Sequence, residues 1–134
     1  MVPDTRDLIT WRIGNAGYDM VLSGKVPGQL GRALNQENLK LILAGRTPGD
    51  IDLWAIHPGG RTILDAVENA LELEPSALEV SRYVLDNYGN MSSATVLFVL
   101  AEMMKRAAAG GPTGMGSAMA FGPGLTAETM LFRL

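Results

Sequence analysis

The sequence predicts an α/β domain in which helices are layered on a β-sheet, and three observations carry that expectation. Short apolar runs of strand character alternate with longer stretches whose apolar residues recur at helical spacing. Glycine is abundant, at 16 residues against the roughly 7% of ordinary chains. Much of it falls in tight clusters, at Gly14/Gly17, Gly59-Gly60, Gly110-Gly111 and Gly122/Gly124, as expected of sharp connections between regular elements. The 134 residues, 47% of them hydrophobic, suffice for one core and are too few for two. Residues 1–134 are therefore read as a single domain, with no internal repeat and no linker.

Leu8–Ile13 has strand composition, Gly14–Gly17 supplies a turn, and Tyr18–Leu22 returns as a second strand, so a hairpin is expected. Val26-Pro27 opens a helix, with Pro tolerated in its first turn. Leu30, Ala33, Leu34, Leu41 and Ala44 form one apolar face, which predicts a single helix running to a stop at Gly45. Ile51–Ile56, bounded by Pro48-Gly49 and Pro58-Gly59-Gly60, reads as a buried strand. A helix follows over Arg61–Leu71 on the stripe Ile63, Val67, Ala70 and Leu71. Pro75 starts another, ending near Tyr88 with Gly89 as its cap. Asn90–Ser93 opens a long apolar helix through Val96, Leu97, Leu100 and Met103 to about Ala108. Ser117–Phe121 and Thr126–Arg133 are two last strands, joined by Gly122-Pro123-Gly124.

Charge and composition exclude several functions. A net charge of −3 with no basic run argues against nucleic acid as a partner. Met1–Asp7 lacks the layout of a signal peptide. No apolar stretch reaches the roughly 18 residues of a membrane span, so no membrane partner and a cytoplasmic location are expected. With no Cys, the chain has no disulfide, thiolate metal site or Cys nucleophile, and a single His makes a metal centre unexpected. Gly59-Gly60 lacks the spacing and the Lys of a phosphate loop.

His57 is the one imidazole, placed at the C-terminal end of a strand before a Gly-rich turn into a helix. A lone His there is by default structural. The two glycines that follow open the backbone to close approach by a ligand, although they also simply relieve a tight turn. Asn90 has a plain reading as a helix cap, shared with Ser92 and Ser93. Its functional reading is an amide donor aimed at a developing oxyanion. Spacing alone favours the cap, and only a partner such as His57 would reverse that. Met20 and the other methionines read as core filler, and Gly122-Pro123-Gly124 as a turn.

Three segments, in order, carry a family resemblance. Trp54-Ala55-Ile56-His57-Pro58-Gly59-Gly60-Arg61-Thr62-Ile63-Leu64-Asp65 resembles the strand, catalytic His and loop of chalcone and stilbene synthases, the type III polyketide synthases. Tyr88-Gly89-Asn90-Met91-Ser92-Ser93-Ala94 is similar to that family's catalytic Asn segment. Phe121–Thr129 is similar to its C-terminal signature, with Ala120 in place of the usual first Gly. The resemblance runs from about Pro3 to the C-terminus and implies the C-terminal half of a thiolase-like fold, a mixed β-sheet with packed helices, cut at its N-terminal edge. It implies decarboxylative condensation of malonyl-CoA onto a starter acyl-CoA, with CoA thioesters as substrates and no cofactor. His57 and Asn90 would polarise the malonyl thioester carbonyl. Gly59, Gly60 and Thr62 would border the pantetheine arm of CoA. Met20 falls where many members place an aromatic gatekeeper, Trp11 at the cavity wall, and Phe121, Gly122 and Pro123 in the signature loop.

The resemblance also implies a nucleophilic Cys in a first half of the fold that these 134 residues do not contain. A domain inactive alone is therefore expected. The alternatives are a subunit of a split synthase, or a non-catalytic module that binds acyl-CoA or a partner protein. A ketoacyl-carrier-protein synthase III shares the His/Asn pair but fits Pro58–Gly60 and Phe121–Gly124 less well. Without the second half-fold, an apolar surface would stand open, so a homo-oligomer is expected.

Overall fold

A computed structural model describes residues 5–15 and 17–134, and of Tyr18 only its backbone. Met1–Asp4, part of the leader reading, and Ala16 of the first turn lie outside the described residues. In order the elements are β1 (Ile9–Gly14), β2 (Gly17–Leu22), α1 (Val26–Ala33), α2 (Gln36–Ile42), β3 (Leu53–Ile56), α3 (Arg61–Leu71), α4 (Glu79–Tyr88), α5 (Thr95–Ala108), β4 (Met115–Gly122) and β5 (Thr126–Arg133). Short 3-10 turns precede β3, α4 and α5 and join β4 to β5.

The sheet order is β3-β4-β5. Its β3/β4 pair is parallel and its β4/β5 pair antiparallel, so the sheet is mixed. The hairpin β1-β2 forms a separate two-stranded sheet in which Ile9 faces Leu22 and Trp11 faces Met20. Its position is fixed from the chain ahead of it, where Thr5, almost fully buried, donates from Oγ1 to the carbonyl of Gly124 at 2.9 Å.

Alternation along β3 and β4 divides the core. Trp54, Ile56 and Met119 belong to a cluster with Val26 and Leu30 of α1, Leu39 of α2 and Ile63, Leu64 and Val67 of α3. Ala55 and Ala118, which point to the opposite face, pack with Val84 of α4 and Val99 and Met103 of α5. β3 is thus covered on both sides, which suits a strand so apolar, buried at all four positions. The small side chains on the second face let α4 and α5 approach closely. Gly116, two residues from Ala118, leaves room for the ring of Phe132, its partner in register on β5, which a Cβ there would overlap.

The hairpin, β3, α3, the α4 region with its Gly89 cap, and β4-β5 lie where the sequence placed them, with β4 longer and β3 shorter at their ends. Two expectations are corrected. The single helix from Val26 to Gly45 is two helices, because Asn35 leaves helical geometry and its side chain accepts from the backbone N–H of Asn38 at 2.9 Å. That break turns the second helix, so Leu39 and Leu43 enter the core while Leu41 stands 79% exposed. The second correction concerns α5. It begins at Thr95 rather than near Asn90, and it buries Thr95, Val99 and Met103 while leaving Leu97 63% exposed.

No helix among the described residues is long and apolar enough to cross a membrane.

Candidate active site

The parallel pairing of β3 with β4 ends at Ile56 and Met119, while β4 continues to Gly122. His57 extends the ladder by one bond, its amide donating to the Met119 carbonyl at 2.8 Å. Pro58 has no amide to continue the pairing. The Gly59 N–H then turns back onto the His57 carbonyl at 2.9 Å, and Gly60 leads into α3. The imidazole is held at the strand end by main-chain bonds on both sides.

His57 is buried, and its Nδ1 has no hydrogen-bond partner. Burial holds its pKa below the ordinary imidazole value of 6.5, with no carboxylate opposing the shift. The ring is therefore neutral at pH 7.

Asn90 arrives from the other side. Gly89 ends α4 at φ 71° and ψ −169°, a backbone region open in practice only to glycine, and this turns the chain toward His57. Asn90 Oδ1 accepts from the Ser92 N–H at 2.9 Å, and Nδ2 donates to the Gly59 carbonyl at 3.2 Å. The cap reading is corrected, since α5 starts after Ala94 with no side-chain cap, and Oδ1 closes a turn ahead of it instead. Asn90 braces the turn ahead of α5, and its amide nitrogen reaches the loop that follows His57.

The two side chains line one cavity of about 430 Å³. Of the residues singled out from sequence, His57, Asn90, Gly59, Met20, Phe121, Gly122 and Pro123 all border it. Gly60 and Thr62 do not. Gly60 is the residue ahead of α3, and Thr62 stands exposed in that helix's first turn. Trp11 also lines the cavity.

Sequence reading missed Ile9, Leu22, Val26 and Ile63 as cavity wall, and left Glu128 without a role although it borders the same space. A signal for the hairpin residues was present. Ile9 and Trp11, like Met20 and Leu22, are two apart, and the pairing Ile9–Leu22 and Trp11–Met20 puts all four on one face. The walls are mostly apolar, with His57, Asn90, Ser92, Ser93 and the carboxylate of Glu128 as exceptions. Among the described residues, no three His, Asp or Glu groups converge as metal ligands.

The fold and the site define a mixed-sheet α/β domain in which a neutral imidazole and a carboxamide converge on an apolar cavity at the strand ends. The chain belongs to the chalcone and stilbene synthases, whose C-terminal domain model matches residues 1–134. It is 41% identical over 140 residues to bisdemethoxycurcumin synthase of Oryza sativa subsp. japonica, covering 98% of this chain and 35% of that protein. It is also 41% identical over 135 residues to 1,3,6,8-tetrahydroxynaphthalene synthase of Streptomyces peucetius subsp. caesius, covering 99% and 35%. Its fold matches PKS-I of the brown alga Ectocarpus siliculosus with a TM-score of 0.89 at 34% identity, covering 98% of this chain and 36% of that one. The chain thus spans about a third of the length of the curated relatives it matches.

Proposed function

We propose that this domain supplies the electrostatic half of a polyketide-forming acyltransferase site, in which malonyl-CoA is decarboxylated and condensed with a starter acyl-CoA. The observation that carries this reading is the convergence of His57 and Asn90 on one cavity, braced by the Asn90–Gly59 hydrogen bond at 3.2 Å.

The chemistry follows from the residues present. When the bond between the malonyl carboxylate and the α-carbon breaks, carbon dioxide leaves and the electron pair moves into an enolate. Its negative oxygen is the former thioester carbonyl. A neutral imidazole and a carboxamide are suited to donate hydrogen bonds to it in a space with few competing waters. The neutrality of His57 matters, because it lets the ring donate without being locked as a permanent cation. The enolate carbon then attacks the carbonyl of a starter held as a thioester, forming the new carbon–carbon bond as the carbon–sulfur bond breaks and the thiolate leaves. The 134 residues contain no Cys, so a Cys-bearing part, on another chain or elsewhere in a longer one, carries that acyl group. CoA thioesters are the substrates and no cofactor takes part.

A mixing experiment tests this. The domain is combined with the Cys-bearing first half of a related synthase and malonyl-CoA, and carbon dioxide release is followed. His57→Ala and Asn90→Ala are each expected to lower the rate by about 10²-fold or more, the usual cost of removing an oxyanion donor. Release that persists undiminished in His57→Ala would remove that residue from the mechanism.

A further inference from the structure

The amide of Asn90 has two chemically opposite ends, and the site works only if the NH2 end faces the cavity. We infer that Thr95 is the positioning residue that sets this polarity, an inference that rests on the proposed role of Asn90 as a donor. Thr95 is fully buried at the first position of α5. Its Oγ1 accepts from the Met91 N–H at 2.8 Å and donates to the Ser92 carbonyl at 2.8 Å, with Asn90 Oδ1 3.4 Å away. One hydroxyl therefore ties together Met91 and Ser92, the two residues that follow Asn90.

The turn it closes does not hold itself. Ser92 sits at φ 60°, in the left-handed region that non-glycine residues seldom adopt. That conformation points the Ser92 N–H at Asn90 Oδ1, at 2.9 Å. With the Ser92 N–H aimed at it, only the oxygen of the carboxamide fits toward α5, because a flipped amide would set NH2 against that N–H, and Thr95 acts by holding the Ser92 turn in place. Nδ2 is left to face outward. One of its hydrogens goes to the Gly59 carbonyl, and the second remains for a ligand in the cavity. Asn90 is then a dedicated donor.

The test compares Thr95→Ser, which keeps the hydroxyl, with Thr95→Val, which keeps the shape. Both are made in this chain, with the Asn90 side-chain NH2 observed by 15N NMR and thermal melts as a control on folding. Wild type and Thr95→Ser are expected to give an Asn90 NH2 pair displaced from the positions of an unrestrained Asn and slowed in exchange with solvent. Thr95→Val is expected to move that pair to the positions and the fast solvent exchange of an unrestrained Asn, and to bind malonyl-CoA about tenfold more weakly, the scale of one buried hydrogen bond. A Thr95→Val protein that melts as wild type and keeps the same Asn90 signature overturns the inference, as does a Thr95→Ser protein as perturbed as Thr95→Val. Failure of wild-type Asn90 to respond to malonyl-CoA would instead count against the proposed substrate, since the free-protein signature tests Thr95 independently.

Discussion

His57 shows how a single buried imidazole couples the chemistry of a site to the stability of its domain. The folded protein disfavours the charged ring by burial, so its pKa lies below that of the unfolded chain. Between those two values the unfolded chain binds the extra proton. Stability attributable to His57 is therefore fully present above about pH 6.5 and falls as pH drops through that value toward the lower folded one. His57→Gln is expected to flatten this part of the profile. Melting temperatures from pH 7.5 to 5.5 for the two proteins will check it, and parallel curves would mean that other groups control the slope. The role of Asn90 shows why residue identity was only partly legible. Sequence offered a cap of α5 or an oxyanion donor, whereas the carboxamide closes a turn ahead of that helix, with Oδ1 on the Ser92 N–H and Nδ2 on the Gly59 carbonyl.

At the scale of elements, what was legible followed from clear punctuation. α3 is bounded as read because Gly60 precedes it and the apolar stripe of Ile63, Val67 and Leu71 is unbroken. The region of α1 and α2 misled because Leu34 and Leu41 are one heptad apart and mimic a continuous face, while a cap inside an apolar pattern is easily overlooked. Asn35 is that cap. Asn35→Ala should therefore cost about 1 kcal/mol of stability, read as a lowered urea midpoint with an unchanged slope. No change on substitution would mean that packing of Leu39 and Leu43, and not the cap, fixes the break. The cavity wall was the least legible element, since four of its residues lie on a hairpin face whose partner is set by tertiary placement.

The whole molecule exposes more surface than its mass requires. Its accessible area is 7976 Å², roughly a sixth above the ~6,800 Å² that a compact monomer of this mass would show. Part of the excess is apolar and organised. On α5, Leu97, Ala101, Met104 and Ala108 are exposed at steps of four, three and four, which makes one stripe along the helix, with Phe98 beside it. On the hairpin, Ile13 is 84% exposed. The excess exceeds the ~800 Å² per partner that a standard interface buries, and contiguous apolar surface of this kind is seldom left in water. In the absence of another chain, copies of this domain are expected to cover one another's α5 stripe. Light scattering at high micromolar concentration should then report a dimer or larger species, and Leu97→Glu combined with Met104→Glu should return it to a monomer without loss of helix content. A monodisperse wild-type monomer would show that the stripe tolerates water. A double variant that stays associated would place the contact on the hairpin, where Ile13→Lys would be the change that dissociates it.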